Sequence, residues 1–582
     1  MDWLITSFSW YIVLFILGLG FLPITRRLFS PFVDKGYPFA KTIGILLTSY
    51  VLFVLGTVRV LPFTYPAVLG ATTALIIANH LIFKKNKDEK LPIRLLIFEE
   101  LLFLGSFIFL TYIRGQEAAI RGLEKFMDYG FINSILRAKF FPPLDMWLSS
   151  TTTMPQGFSI NYYYFGHLTG AFLIRLTQTT PPVGYNLILA TIFAQGMTLA
   201  FSLCMNLAYL FEKFVVKTKK ISLITISLFG LLGTYIVNLA GNLHTIYLFT
   251  KGYPNENPVP FWQIWSSYTP EKYWYPNATR FIPFTIHEFP SYSYVVADLH
   301  GHVFDIPFVL LTLSILFIFL VREFFLKKEK PKKGTGLSGL FNRLHDSYRI
   351  GYAAILGFMT AIHYMTNAFD GPIYLIFCVA LFLILFGFNL SFVTAALLII
   401  LFFLLFALPF SINFVPFASG IGVNCSPSQL VAMHKIGPFL FEKGNCQISP
   451  LWMLFVLWGF FAISFLLFLA TAYLSSQKKG YKENPISLFV VIMFAISFFL
   501  LLIPEFFYVK DIYPAHFRAN TMFKLGYQAF MIMGVLSSFV FYQIWRMKGF
   551  SQYVLKVLFF GSVLSYLFIP VLLFPLFLRK AH

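Results

Sequence analysis

The sequence predicts an all-α protein built from a bundle of transmembrane helices. Of its 582 residues, 58% are hydrophobic and only 12% are charged, whereas a soluble domain carries roughly 25% charged residues. Aromatic residues make up 20% of the chain, with 74 Phe and 31 Tyr. A chain of this composition cannot cover itself with a water-compatible surface, so we expect lipid to be its main solvent.

Long apolar runs mark the predicted spans. A helix of about 20 residues crosses a hydrocarbon layer of roughly 30 Å, and about 14 runs approach that length. They lie at residues 9–25, 42–60, 65–83, 93–113, 183–211, 221–240, 303–325, 350–366, 371–388, 390–412, 451–474, 487–504, 525–545 and 553–577. We divide the chain into N-terminal transmembrane helices at 1–113, a large loop at 114–182 and a transmembrane core at 183–582.

The basic residues predict the orientation of the bundle. They form short clusters between apolar runs, for example Lys213–Lys220, and such clusters favour the cytoplasmic side. All clusters fall on that side only if the moderately apolar segment 161–177 does not cross the membrane. Its Tyr-rich start, His167 and Arg175 suit a helix lying flat at the outer surface. The outer loops are then 114–182, 241–302, 413–450 and 505–524.

The net charge of +20 does not indicate a nucleic-acid partner. The basic residues form no basic helix, and no nucleic-acid-binding motif is present in the sequence. We expect no nucleic acid, and we interpret these residues as topology signals and as contacts to anionic headgroups of membrane lipid.

The four cysteines divide into two pairs. Cys204 and Cys378 lie within apolar runs and are expected to be inert residues of the core. Cys425 and Cys446 lie in one predicted outer loop, where a disulfide and two free thiols fit the sequence equally well.

Two polar blocks in the outer loops carry candidate acids and metal ligands. In residues 122–150, Glu124 and Asp128 share a helix face, and Asp128 could act as a base or metal ligand, or be an ordinary solvated acid. In residues 277–308, alternation places three side chains on one side of an extended segment. Carboxylate and imidazole ligands in this pattern suggest a divalent metal ion, although the histidines could instead cap the following helix. Glu288 lies ten residues upstream and could join the three residues, which are Asp298, His300 and His302.

Two further blocks carry candidate substrate-binding residues. Asn367 and Asp370 lie at the outer end of a predicted span, where an acid needs a partner or a function, or where Gly371 and Pro372 simply make a structural turn. Residues 504–524 bring together many polar side chains, whose cations suit a phosphate or a lipid headgroup. The candidates in this block are Glu505, Asp511, Arg518, Asn520 and Lys524.

These blocks together resemble a family of uncharacterised polytopic membrane proteins named for a Tyr-Tyr-Tyr signature. The matching segments span about residues 120 to 530 and include Tyr163 and His167. They read MDYGFINSILRAKFFPPLDMWLS, NYYYFGH, HEFPSYSYVVADLHGH, TNAFDGP and EFFYVKDIYPAHFRANTMFK. The chain departs from the expected pattern at Ser149–Thr151 and at Phe369, neither of which touches a candidate reactive group.

The architecture of that family looks like the GT-C superfamily of integral membrane glycosyltransferases. The resemblance implies transfer of a sugar from a polyprenyl-phosphate-linked donor to a saccharide or protein acceptor, at the extracytoplasmic face of the cell membrane. It puts Asp128 in the catalytic place. We also expect Glu288 and Asp298 to be catalytic residues. The residues expected to bind substrate or phosphate are Arg280, Tyr163, His167, Asn367, Asp370 and the residues of the block at 504–524.

Two other functions remain open at the level of sequence. A lipid-linked saccharide transporter or flippase would use the same polar residues, and Glu99 and Glu100 within a predicted span favour it. A non-catalytic lipid-binding membrane protein is the third possibility.

Overall fold

The structure is a computed structural model that describes residues 2–83, 91–148, 150–255, 257–326, 347–476 and 484–547. The chain divides into two compact units. Unit 1 contains Met1–Ile221 and Ala297–Val415, and unit 2 contains Ser222–Val296 and Pro416–His582. The described part is mostly helical, in agreement with the predicted class.

Unit 1 has only helices among its named elements, with an irregular segment at 138–164 between two of them. Its helices are α1 (Asp2–Leu28), α2 (Phe39–Thr57), α3 (Tyr65–Ile82), α4 (Ile93–Gln116), α5 (Lys125–Arg137), α6 (Phe165–Thr177), α7 (Pro181–Leu210), α10 (Gly301–Val321), α11 (Ser347–Thr366), α12 (Asp370–Phe386) and α13 (Leu390–Ser411). Helix α10 is apolar along most of its length, and all of its residues are buried, as expected for a helix surrounded by protein. It packs against α7 and α11.

Unit 2 combines helices with a small sheet. Its helices are α8 (Leu223–Asn238), α9 (Pro290–Val296), α14 (Ser428–Val431), α15 (Leu451–Ser476), α16 (Pro485–Phe506) and α17 (Ala519–Arg546). Short 3₁₀ turns include Leu243–Phe249 and Tyr275–Thr279. Helix α17 packs against α8, α15 and α16.

The sheet of unit 2 was not predicted from the sequence. Its strands are β1 (Gly420–Val423), β2 (Lys435–Ile436), β3 (Phe439–Leu440) and β4 (Phe507–Lys510), in the order β2-β3-β1-β4. Strand β1 runs parallel to β3 and antiparallel to β4. Gly422 has no room for a side chain, because an added Cβ would lie 2.1 Å from the Tyr508 ring. Cys425 and Cys446 form a disulfide beside this sheet.

Nine of the described helices are long and apolar enough to cross a membrane. They are Trp3–Leu28, Phe39–Thr57, Tyr65–Ile82, Pro181–Val216, Gly301–Leu326, Leu390–Ser411, Leu451–Leu474, Pro485–Phe506 and Ala519–Arg546. A multi-pass membrane protein is therefore supported.

The total of about 14 spans stays a prediction. Helix α8 bends by 76° into the turn Leu243–Phe249, and α12 has only 17 residues. The predicted spans 93–113 and 350–366 form helices α4 and α11, which do not pass the same test of length and composition. The predicted span 553–577 lies outside the described residues, as do the basic segments 84–90, 327–346 and 477–483.

Helix α6 differs from the predicted helix lying on the outer surface. Its 13 residues are too few to cross the membrane, which agrees with the prediction. Residues Phe165–Ile174 are all buried, however, and a helix on the surface would expose one face. The helix packs against α2, α3, α5, α7, α10 and α11. Two of its polar side chains have partners inside unit 1, since His167 pairs with Asp128 and Arg175 donates to the Leu136 carbonyl. Polarity alone therefore gave the wrong surroundings for this helix.

Close backbone approach at Gly301 gives a test of the packing in unit 1. We expect Gly301→Ala to destabilise the protein by about 1–3 kcal/mol through overpacking. The added Cβ would lie 2.3 Å from the Thr366 carbonyl oxygen and 2.9 Å from the Tyr163 ring. Gly351→Ala in α11 is the control, because its Cβ would meet nothing within 4 Å. Thermal unfolding in detergent measures both, and equal unfolding temperatures for the two variants would contradict the described packing.

Candidate functional site

Ionisable and phenolic side chains from three separate segments converge in unit 1. We call this group the acid–histidine cluster. It draws on the start of α5, the segment before α6 and the segment before α10. Its members are Glu124, Lys125, Asp128, Tyr162, Tyr163, His167, Asp298, His300 and His302.

The innermost pair of the cluster is Asp128 and His167. Asp128 Oδ1 lies 2.9 Å from His167 Nε2, and both side chains are fully buried. The rings of Phe131 and Phe304 pack around the imidazole. Because Asp128 has no exposed surface, it is poorly placed to take a proton directly from a substrate. The negative charge of Asp128 can instead raise the pKa of the neighbouring Asp298.

Asp298 lies at the more open part of the cluster. Its Oδ1 is 3.4 Å from Lys125 Nζ, and its side chain remains 15% exposed. The backbone around it is held by Tyr185 on α7, whose hydroxyl donates to the Ala297 carbonyl and accepts the Leu299 N–H. Ala297 has a φ of 62°, a left-handed conformation that is uncommon for a residue with a side chain. The surrounding contacts thus fix the position of the Asp298 carboxyl.

The surroundings of Asp298 shift its protonation towards neutral pH. The pKa of its carboxyl is raised from 3.8 to about 7, mainly by burial; the positive charge of Lys125 lowers the pKa, and the negative charges of Asp128 and Glu124 raise it. An acid–base group with a pKa near the working pH is well suited to proton transfer. Asp298 therefore has both the exposure and the proton affinity of a general base.

Tyr162 and the two histidines form a connected hydrogen-bond chain. The Tyr162 hydroxyl donates to Tyr163 Oη at 2.9 Å and lies 2.6 Å from His300 Nε2. Its oxygen therefore accepts from His300 Nε2–H. The Nδ1 atoms of His300 and His302 are 3.0 Å apart, so one ring donates to the other. Glu124 Oε2 lies 3.3 Å from His300 Nε2, and can stabilise a proton on this chain.

The predicted divalent metal ion stays a prediction. Asp298 is directed to Lys125, whereas His300 and His302 bond to each other through Nδ1. Within the part of the chain that the structure describes, no group of three or more His, Cys, Asp and Glu side chains is arranged to hold a metal ion. The alternative of histidine helix caps is not realised at α10, whose N-cap residue His300 makes no side-chain cap hydrogen bond.

Asn367 and Asp370 lie among buried residues of unit 1. Asn367 Nδ2 donates to Asp370 Oδ2 at 2.7 Å. Asp305 on α10 and His363 on α11 belong to the same group, with the His363 Nδ1 atom 2.7 Å from Asp305 Oδ2. All four side chains are fully buried, so a substrate could reach Asn367 and Asp370 only after a rearrangement.

Arg518 lies in a buried hydrogen-bond network of unit 2. Its side chain is fully buried, and the guanidinium donates to Gln447, Glu505 and Ser449. Burial lowers the pKa of Arg518, while Glu505 acts in the opposite direction. Glu505 in turn accepts the Ser449 N–H and hydroxyl. These contacts use every guanidinium nitrogen, so phosphate binding by Arg518 would require breaking them.

Arg280 is the more accessible arginine of unit 2. It pairs with Glu288 at 3.0 Å, and its side chain is 45% exposed. The neighbouring His287 is buried and bonds to Thr285. The pKa of His287 is lowered to about 3, mainly by burial and also by the positive charges of Arg280 and Arg518. Glu288, predicted to be catalytic, is thus the ion-pair partner of an exposed arginine.

The other predicted residues of unit 2 have varied surroundings. Asp511 accepts the Tyr513 N–H and is only partly exposed. Asn520 lies in the first turn of α17. Lys524, one turn further along, is buried, and its ammonium lies 4.7 Å from the Phe523 ring centroid. Because the predicted residues are divided between two units, the prediction that all four blocks line one surface stays a prediction.

Sequence reasoning missed several residues of these groups. Lys125 pairs with Asp298, which lies far along the sequence, so no local pattern indicates this partner. Tyr162 belongs to the same Tyr-Tyr-Tyr run as Tyr163. The pairing of Asp305 with His363 joins residues 58 positions apart, and no local pattern indicates it.

Comparison with known proteins identifies one similarity. A family described as "Uncharacterized membrane protein (DUF2298)" matches residues 47–496 and 481–533, which is most of the chain. No curated protein and no solved structure matches it.

The burial of Arg518 predicts a large effect on stability. Arg518→Met should lower the free energy of unfolding by about 3–5 kcal/mol, because it leaves the Glu505 carboxylate without its cation. Arg280→Gln, at an exposed pair, should cost less than about 1 kcal/mol. Adding Glu505→Gln to Arg518→Met should recover part of the loss. Denaturant unfolding measures all three, and a mild effect of Arg518→Met would point to a binding role instead.

The raised pKa of Asp298 predicts a defined pH dependence of stability. Because the folded state binds the Asp298 proton more tightly than the unfolded state, this residue lowers stability as pH rises from 3.8 to about 7. Asp298→Asn removes that loss. The unfolding temperature of the variant relative to the natural protein should therefore increase across this window and then level off. A constant difference across the window would show that Asp298 titrates normally.

Proposed function

The chain belongs to the DUF2298 family of membrane proteins, and from this premise we propose that it is an integral membrane glycosyltransferase. The donor would be a sugar linked to a polyprenyl phosphate, and the acceptor a hydroxyl of a saccharide or protein. The observation that carries the proposal is Asp298, a partly exposed carboxyl with a pKa near 7 that is fixed beside Lys125.

Asp298 would act as the general base. Its carboxylate would take the proton of the acceptor hydroxyl while that oxygen attacks the anomeric carbon of the donor sugar. The bond between the anomeric carbon and the phosphate oxygen would break, and the lipid phosphate would leave with the electron pair. A positioned base of this kind typically contributes a rate factor of about 10²–10⁴.

Asp128 would support the base rather than replace it. Its negative charge raises the pKa of Asp298, and its bond to His167 holds it inside unit 1. Lys125 would stabilise charge on the leaving phosphate next to Asp298, since fixed charges act most strongly where charge develops. In unit 2, the exposed Arg280 is the best available residue for a phosphate, with Glu288 as its partner.

The disulfide of unit 2 favours an extracytoplasmic position for its own loop. Cys425 and Cys446, both in the predicted outer loop 413–450, are joined. Disulfides persist in oxidising compartments, which supports placing this loop outside the cell membrane.

A transporter of lipid-linked saccharides is the second candidate. It is favoured by the ionisable side chains buried elsewhere in unit 1. Glu100 accepts hydrogen bonds from Tyr11, Tyr37 and Lys41, while Glu99 and Asp34 are buried close to each other. Intramembrane acids of this kind often mark ion or substrate pathways. The transferase remains the better proposal, because Asp298 is partly exposed and fixed beside Lys125, whereas Glu99 and Asp34 are buried.

The transferase proposal predicts a specific loss in one variant. Asp298→Asn should lower the rate of sugar transfer from a polyprenyl-phosphate donor by about 10²-fold or more. The natural protein should gain rate as pH rises through about 7, the pKa of Asp298. Asp128→Asn should shift that midpoint downward, because it removes a charge that raises the pKa of Asp298.

Glu117→Gln is the control, since Glu117 is an exposed acid of unit 1. It should leave the rate unchanged. Equal rates for Asp298→Asn and Glu117→Gln would remove Asp298 from the mechanism. Rapid movement of the intact donor across a vesicle membrane would favour the transporter.

A further inference from the structure

The connection between α11 and α12 encloses a group of polar side chains with no exposed surface. Helix α11 ends at Thr366, and α12 begins at Asp370. We call the group the helix-break cluster. It contains Asp305, His363, Thr366, Asn367 and Asp370, each with 0% exposure.

The contacts within the cluster hold its two carboxyl groups together. The His363 Nδ1 atom lies 2.7 and 2.9 Å from the two Asp305 oxygens, and its Nε2 lies 2.8 Å from the Thr312 hydroxyl. Asp370 hydrogen-bonds to Asp305. On its other side Asp370 accepts from Asn367 Nδ2 at 2.7 Å. The carboxyl groups are therefore positioned from three different segments.

Two neutral oxygen atoms of the same cluster are buried without a hydrogen-bond partner. They are Thr366 Oγ1 and Asn367 Oδ1. The Asn367 amide is fixed by its bond to Asp370, so its oxygen stays beside the carboxyl groups. A buried polar atom without a partner is costly, and a bound ion is one way in which proteins satisfy such atoms.

The charges of the cluster favour a cation. Asp305 and Asp370 carry two negative charges when ionised, and His363 can supply at most one positive charge. The carboxyl end of α11 adds partial negative charge near Thr366 and Asn367. The amino end of α12 favours an ionised Asp370. Together these charges give the buried oxygen atoms of the cluster a negative electrostatic potential.

We propose that the helix-break cluster binds a sodium ion. Carboxylate, amide and hydroxyl oxygens are the ligands of hard cations. Mg²⁺ gives up its waters reluctantly, so a fully buried site suits a monovalent ion better. Broken helices that present side-chain and terminal oxygens are a known setting for Na⁺ inside membrane proteins. The candidate ligands are Asp305, Thr366, Asn367 and Asp370.

The ion would stabilise the segment at the start of α10 that carries the two histidines of the acid–histidine cluster. Gly301 lies directly against the Thr366 carbonyl and the Tyr163 ring. The residue before it is His300, and Asp305 lies one helical turn further along α10. An ion that fixes the α11–α12 break would therefore fix the start of α10 as well. This inference does not depend on the proposed transferase activity.

Thermal unfolding of the full-length protein in detergent tests the proposal. The unfolding temperature is measured in NaCl, KCl and choline chloride at one ionic strength and at mildly alkaline pH. We expect Na⁺ to raise it in a saturable manner and choline to have no effect. K⁺ should act only at far higher concentration, because the ion is larger.

Two variants and one control locate the ion. Thr366→Val removes a ligand oxygen and should raise the half-saturating Na⁺ concentration by about tenfold or more, while Asp370→Asn should abolish the Na⁺ effect. Thr360→Val is the matched control on α11, because the Thr360 hydroxyl is equally buried but bonds to the Leu356 carbonyl. It should keep the natural Na⁺ response.

Three results would overturn the proposal. One is an unfolding temperature that is equal in NaCl and choline chloride. Another is a full Na⁺ response in folded Thr366→Val protein. The third is an equal loss of response in Thr360→Val, which would show a general effect of packing. None of these readings involves sugar transfer, so they are independent of the proposed reaction.

Discussion

The absence of bulk water inside a helix bundle is the constraint on which the rest of this structure depends. Every ionisable side chain that is buried there needs a partner, because desolvation of an unpaired charge costs far more than folding can supply. Asp128 therefore pairs with His167, Asp305 with His363, and Arg518 with Glu505. Asp298 differs from these residues, because it keeps some exposure and is held by Lys125 at a longer distance. The contrast separates groups that stabilise the bundle from a group that is available for chemistry.

The membrane character and most of the helices could be predicted from the sequence, because apolar runs of helical length leave few other structures possible. The surroundings of α6 could not be predicted in the same way. Its histidine and arginine suggested an interface with water, but each has a partner on α5, one of the helices against which α6 packs. A polar residue within a moderately apolar run can mean exposure or a buried partner, and only the tertiary contact decides between them.

The candidate site was predictable to the level of residue type and segment. Asp128, Asp298 and His300 were identified because acids and histidines near a membrane are costly without a role, and the structure brings all three into one cluster. Their individual roles depend on burial, which the sequence does not contain. Asp128 is more buried than Asp298, and Arg518 is more buried than Arg280. Asp298 and Arg280 are therefore the better candidates for contact with a substrate. The pairing of Cys425 with Cys446 was likewise one of two possibilities until the sheet of unit 2 brought the two cysteines together.

The most direct test of the account is to follow the donor lipid itself. The natural protein is incubated with a polyprenyl-phosphate-linked sugar and an acceptor mixture, and the lipid products are measured by mass spectrometry. If the protein is a glycosyltransferase, free polyprenyl phosphate should appear in an amount equal to the sugar transferred. Recovery of the donor lipid intact, with no release above a protein-free control, would contradict the assignment of Asp298 as the base of a glycosyltransferase.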